Sequence, residues 1–181
     1  MKLLNEVVIT GSKIVIREKR LSDAQNDYVW ESDPQLADLD AVHPLKIPFQ
    51  RYLSDYSYGL RTPFLNSRHF AIDTLDGKHI GNCSYYHISE KDSEAELGIM
   101  IGNRDYWDKG YGEDTVKALV DYVFRTTNLK RIYLKTLESN DRAQKCFTKC
   151  GFGWCGRLLN DGFNFVQMET FRKQWEAKPS V

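Results

Sequence analysis

Residues Glu94 to Ile101 read EAELGIMI, and just beyond them residues Asn103 to Phe124 read NRDYWDKGYGEDTVKALVDYVF. The first stretch alternates as a strand does, with Glu96 on the face opposite Leu97 and Ile99. The second passes through a tight glycine loop into a helix. In that helix Val116, Leu119, Val120, Val123 and Phe124 follow the i, i+3, i+4, i+7 rule, so one face packs on a sheet. Strand, glycine loop and helix together build a phosphate socket. The first four N–H groups of a helix have no partner inside it, and the aligned peptide dipoles leave roughly half a positive charge there. An anion fits that end. Gly110 and Gly112 lack a Cβ, so the loop can turn with positive φ and a diphosphate can approach the backbone.

Two common phosphate loops are excluded by spacing. A dinucleotide fingerprint needs GxGxxG, and Thr115 stands where the third glycine belongs. A Walker loop needs GxxxxGK followed by Ser or Thr, but here Lys109 precedes the glycine. What remains is one residue between two glycines, suited to a diphosphate held by backbone amides without a metal. A plain turn has the same composition, so the flanking segments decide.

A second unit follows the same logic. Arg131 to Leu137 (RIYLKTL) reads as a buried strand, and Asn140 to Cys150 as a helix that Ser139 or Asn140 caps and Gly151 ends. With these residues in place the chain resembles the GNAT superfamily of acyl-CoA-dependent N-acyltransferases. The family's pyrophosphate loop is written Gln or Arg, two residues, Gly, one residue, Gly or Ala, and WDKGYG fits it at Gly110 and Gly112. The family's second element aligns with Asn140, Ala143, Phe147, Lys149, Gly151 and Phe152. ELG, YWDKGYG, NDRA and KCGF together look most like the branch of ribosomal-protein alanine acetyltransferases and spermidine acetyltransferases. The likeness runs from about Val15 to Phe171, with its specific motifs between Glu96 and Phe152.

The resemblance implies an α+β fold, a three-layer α/β/α arrangement with a mixed, mostly antiparallel central sheet of about seven strands and about four helices. It implies acetyl-CoA as co-substrate and no metal. The coenzyme would be held by Met100, Ile101, Gly102, Trp107, Asp108, Lys109, Gly110, Tyr111, Gly112, Glu113, Asn140 and Ala143. Backbone N–H groups near Met100 and Ile101 would receive the oxyanion, and the same strand would bond the pantetheine arm as if it were an added strand. Lys109, Arg142 and Lys149 would help neutralise phosphate, with the Glu113 and Asp114 side chains turned away. Trp107 replaces a polar Gln or Arg, which removes one side-chain contact. Phe147 replaces the tyrosine that protonates the leaving thiolate in many members, so the general acid is unassigned; Cys146 is its neighbour. A CoA thiol, with a pKa near the cysteine value of about 8.5, can leave as thiolate.

Direct attack in a ternary complex needs a neutral amine, whereas a lysine-type amine has a pKa of about 10.4. Glu96, on the strand that feeds the loop, is the expected general base, against the plainer reading of a strand carboxylate paired with a neighbour. The alternative to an enzyme is a non-catalytic acyl-CoA-binding regulatory module of the same fold.

Elsewhere the pattern reads as one domain over residues 1–181, with a core of about 15–171. Lys13 to Glu18 is a strand, Asp23 to Glu31 a helix capped by Ser22, and Pro48 to Gly59 another helix. The stretch between those helices, with three prolines, reads as a loop. His69 to Leu75 and Lys78 to Ile88 form a hairpin about Asp76-Gly77. Phe152 to Arg157 and Phe163 to Phe171 join through Asn160-Asp161-Gly162. Lys and Arg number 25, Asp and Glu 25, so no global field selects nucleic acid or membrane. No apolar run is long enough to span a bilayer, the four cysteines show no paired-ligand spacing, and the expectation is a cytoplasmic protein with reduced thiols. From Asp23 to Tyr58 seven acids face two bases, a net charge of −5. That cap, with Tyr28, Trp30 and Asp33 as candidate substrate contacts, suits a cationic small amine or a peptide N-terminus, against the plainer reading of solvated acidic helix faces. A homodimer is left open.

Overall fold

The structure, a computed structural model, describes residues 7–62 and 64–177. In chain order the elements are β1 (Val8–Thr10), β2 (Ile14–Glu18), α1 (Ala24–Glu31), α2 (Pro34–Leu39), α3 (Phe49–Arg61), β3 (Arg68–Thr74), β4 (His79–Ser89) and β5 (Glu94–Ile101). Then come α4 (Tyr111–Thr126), β6 (Arg131–Leu137), α5 (Asp141–Lys149), β7 (Gly153–Asn160), β8 (Phe163–Phe171) and α6 (Arg172–Glu176). The expected class holds, with eight strands in one sheet, ordered β1-β2-β3-β4-β5-β6-β8-β7.

Alternation along the strands gives the sheet two different faces. One carries Ile14, Ile16, Phe70, Ile72, Cys83 and Leu97, which pack with Val116, Leu119, Val120 and Val123 of α4 in the main core. Leu119 is fully buried. The other carries Arg17, Asp73 and Asn82 and is covered by α1 and α3 through polar contacts. Arg17 forks to Asp23 and Asp73, at 2.8 and 2.6 Å. The Asp27 carboxylate, fully buried, accepts from Lys19 Nζ (2.7 Å), the Tyr56 hydroxyl (2.8 Å) and Asn82 Nδ2 (2.6 Å). A buried carboxylate persists only when satisfied in this way.

Two sequence expectations are corrected, and two elements appear that the pattern did not announce. Ser22 caps no helix; Asp23 closes the turn before α1 by accepting from the Arg20 amide at 2.7 Å. The proline-rich loop contains α2, started by Pro34 and capped by Asp33 Oδ1, which accepts from Gln35 and Leu36 N–H at 2.9 and 3.1 Å. Strand β1 exists through antiparallel pairing with β2. Helix α6 is docked by Arg172, which donates to the Leu129 and Thr127 carbonyls, and by Trp175 against Phe124.

One joint in the sheet differs from all others. Every neighbouring pair is antiparallel except β5 with β6. That parallel ladder covers three pairs, Glu94–Glu96 with Arg131–Tyr133. Arg131 clamps the closed end, reaching Glu94 on β5 (2.5 Å) and Glu169 on β8 (2.6 Å). Beyond Glu96 the two strands part, and the second half of β5 turns its β6-facing edge to a cleft.

Candidate active site

The loop after β5 is shaped by its backbone. Asp108 (φ 56) and Gly110 (φ 83) are both left-handed, the alternation that makes a concavity of N–H groups. Trp107 Nε1–H donates to the Ile101 carbonyl at 2.6 Å and fixes the loop to the end of β5. Asp114 accepts from the Ser12 and Lys13 amides (3.0 and 2.7 Å), so its charge is drawn to the β1–β2 turn. Glu113 accepts from Lys117 at 2.7 Å, and that contact holds its carboxyl below the usual range. The first bond of α4 runs from the Asp114 amide to the Gly110 carbonyl. The N–H groups of Tyr111, Gly112 and Glu113 have no acceptor among the described residues.

Above this loop lies a cleft of about 400 Å³, lined by Met100, Ile101, Trp107, Asp108, Gly110, Gly112, Glu113, Asn140 and Ala143 of the expected set. Arg142, Lys145, Cys146, Phe147 and Lys149 of α5 form its other wall. The Arg142 guanidinium lies over Trp107, 3.5 Å from the ring centroid. The tryptophan that replaces a polar loop residue thus carries a cation on its face. Gly112 has room for a methyl group: an added Cβ would meet Cys146 Sγ and Ile101 Cγ1 at 3.8 and 3.9 Å, in ordinary contact. Cys146 has its thiol pulled down by a hydrogen bond from Cys150, with help from Lys149.

A second cleft, about 680 Å³, opens on the other side of β5. Its polar lining includes Lys19, His69, Tyr86, Glu96, Lys135 and Asp161. The two clefts share Leu39, Asp40, Ile99, Met100, Asn140, Ala143 and Phe147. They meet where β5 leaves β6. A third cavity, about 140 Å³, adjoins at Asp40 and Met100.

A family model described as an acetyltransferase (GNAT) domain matches residues 13–153. The chain belongs to the GNAT acetyltransferase family. Among relatives of this GNAT domain, an uncharacterized N-acetyltransferase p20 of Bacillus licheniformis is 28% identical over 150 residues, covering 82% of this chain and 83% of that protein. The spermidine N(1)-acetyltransferase of Escherichia coli K12 is 29% identical over 119 residues, or 62% of this chain and 63% of its own length. Among solved structures, spermidine N-acetyltransferase from Vibrio cholerae in complex with CoA and spermine superposes with a TM-score of 0.81 at 19% identity, covering 91% of this chain and 99% of that one. Aminoglycoside acetyltransferase AAC(6')-Ib in complex with coenzyme A gives 0.75 at 20% identity, over 92% and 99%.

Several expected site residues have other employment in this GNAT domain. Gly102 lies against Trp30, whose ring atoms stand 2.1 to 2.5 Å from where a Cβ would be. Lys109 Nζ donates to the Asp105 carbonyl (2.7 Å), and Tyr111 packs on Tyr106. None of these three lines the first cleft. Tyr28, Trp30 and Asp33 line neither large cleft. The Tyr28 hydroxyl donates to the Ile47 carbonyl (2.9 Å), Trp30 is buried, and Asp33 caps α2 and pairs with Arg104 (2.7 Å). Most of the cap's acids are likewise spent: Asp23 on Arg17, Asp27 on Lys19, Glu31 on the Tyr52 hydroxyl. Glu96 does line the second cleft, buried, but its Oε2 is shared between Lys135 Nζ (3.2 Å) and His87 Nδ1 (3.0 Å). Sequence reading gave no site role to Leu36, Leu39, Asp40, Tyr106 or Lys145. Asp40 carried one signal, its place in the acidic run.

Proposed function

We propose that this GNAT domain moves the acetyl group of acetyl-CoA to a primary amine by direct attack in a ternary complex. The observation that carries the reading is the meeting of two clefts over the unladdered half of β5. One is floored by free helix-start amides with Arg142, Lys145 and Lys149 on its wall; the other is open to an acceptor. A diphosphate suits the first, because amides and cations both favour an anion. The exposed edge of β5 supports binding of the amide-bearing arm of the coenzyme as an added strand, which brings the thioester to the shared residues. There the β5 backbone supplies N–H groups for the oxyanion, worth about 10²–10³ in rate per donor.

The acceptor is read as a small polycationic amine. Relatives are named for spermidine and for aminoglycosides, and in this chain Asp40, Glu96, Asp161 and the Tyr86 ring line the acceptor-side cleft. Phe147, buried against Phe152, lines both clefts without a hydroxyl. Position 147 therefore supplies no phenol to protonate the leaving sulfur, and departure as thiolate is the reading. The test is free-thiol release from acetyl-CoA with spermidine, spermine, ribostamycin and an alanine-starting peptide. Thiol release with the polycations supports the assignment. Binding of acetyl-CoA without thiol release from any amine would favour the regulatory module instead.

A further inference from the structure

We propose that Asp40 is the general base of the transfer, the carboxylate that takes the acceptor's proton where the two clefts meet; this rests on the acetyltransferase reading above. Seven residues line both clefts, and Asp40 is the one among them with an ionisable side chain. It also lines the third cavity, which adjoins the junction. Geometry is the first requirement for a base, and the thioester carbon and the amine must meet in the shared volume. Glu96 stands on the acceptor side alone, with its Oε2 already divided between Lys135 and His87.

The backbone around Asp40 is built to hold it. Asp40 is the C-terminal cap of α2, and the next residue, Ala41, is left-handed with φ 55. The Val42 amide reaches back to the Ala37 carbonyl at 3.0 Å and the Ala41 amide to Asp38 at 3.3 Å, the paired closure that usually employs glycine at Ala41's position. A left-handed alanine costs about 1–2 kcal/mol. Strain of this kind persists where surrounding structure fixes a residue's direction.

The environment suits the role. The cavities that Asp40 lines also hold Glu31, Glu96, Asp108, Glu113 and Asp161, with Tyr86, Tyr106 and Cys146, on the acidic side. On the basic side they hold Lys19, Lys135, Arg142, Lys145 and Lys149, with His43 and His69 besides. No ion pair or hydrogen bond satisfies its carboxylate among the described residues, and burial pushes it up to about 6. The Asp40 side chain is itself exposed, while the protein packed around it on the cleft walls raises its carboxyl. The negative end of α2 acts in the same direction.

The step balances. An ammonium N–H proton passes to the Asp40 carboxylate, and the freed lone pair forms the N–C bond while the carbonyl π pair moves to oxygen. The oxyanion collapses, the C–S bond breaks, and its electron pair leaves on sulfur. The surplus proton on nitrogen goes to that sulfur through water, and Asp40 returns its own proton to solvent through the cleft.

Asp40→Asn and Glu96→Gln are compared in thiol release at saturating acetyl-CoA, with spermidine as acceptor, across pH 5 to 9. Expected for Asp40→Asn is a fall in kcat of about 10²–10⁴, loss of the rising limb near pH 6, and unchanged acetyl-CoA binding by calorimetry. Glu96→Gln keeps its rising limb and loses less than about tenfold. A kcat for Asp40→Asn within about tenfold of wild type, or a loss confined to the KM for spermidine with the pH limb intact, overturns the base role. Those results leave the acetyltransferase reading standing. Wild-type protein that binds acetyl-CoA and releases no thiol overturns both.

Discussion

Replacing Gly112 by alanine separates a phosphate socket from an ordinary turn. An alanine Cβ there meets no atom closer than 3.8 Å, and Gly112 carries no positive φ, so the fold accepts the methyl group. Alanine is the better helix former by up to about 1 kcal/mol. The free protein should therefore keep its melting temperature or gain up to about 4 °C. The ligand sees the reverse. The methyl stands in the cleft between Ile101 and Cys146, where a diphosphate must come within hydrogen-bond distance of the α4 amides. Loss of one charge-assisted hydrogen bond costs about 1.5–3 kcal/mol, or a rise in Kd of about ten- to a hundredfold. Thermal melts of the free protein and calorimetric titration with CoA read both quantities on one sample. CoA affinity equal to wild type would place the diphosphate elsewhere, and a lowered melting temperature would refute the spatial argument.

Gly102→Ala should do the opposite to the free protein. Its Cβ would lie 2.1 Å from a Trp30 ring carbon, and displacing a buried indole costs about 1–3 kcal/mol, read as a lower melting temperature. Ala41→Gly removes the left-handed alanine and should stabilise by up to about 1 kcal/mol after glycine's extra unfolded-chain entropy is set against it, measured by urea unfolding. Asp40 has a folded pKa raised to about 6. The stability it contributes is full below its unfolded value of about 3.9 and is lost as pH rises through 6. Asp40→Asn should accordingly melt higher than wild type at pH 7 and no higher at pH 3.5; equal melting temperatures at pH 7 would contradict the shift.

Legibility followed locality. Strand β6 runs from Arg131 to Leu137 as its apolar run predicts, and the glycine loop, α4 and α5 stand where their spacing put them. These are signals within a dozen residues. Helix α2 was hidden by three prolines read as breakers, although Asp33-Pro34 is also a helix start, a cap followed by a residue with no N–H to satisfy. Strand β1 and helix α6 owe their form to partners, β2 and the end of α4, which no local pattern announces. The site divides in the same way. Its cofactor wall is one loop and one helix start. Its acceptor wall draws on β3, β4, β5, β6 and the β7–β8 turn. Whether an acid in the cap is free depends on residues far along the chain, as Asn82 takes Asp27 and Tyr52 takes Glu31. Asp40 stands out only once those pairings are known.

The forked joint between β5 and β6 makes the molecule two half-sheets riveted by three rungs and the Arg131 clamp. A strand-like guest seated in the gap would complete the missing rungs, so a coenzyme bound as proposed would double as a structural splint. The halves would then be stiffest relative to each other with the thioester aboard, and departure of the product would loosen the seam through which the next one enters.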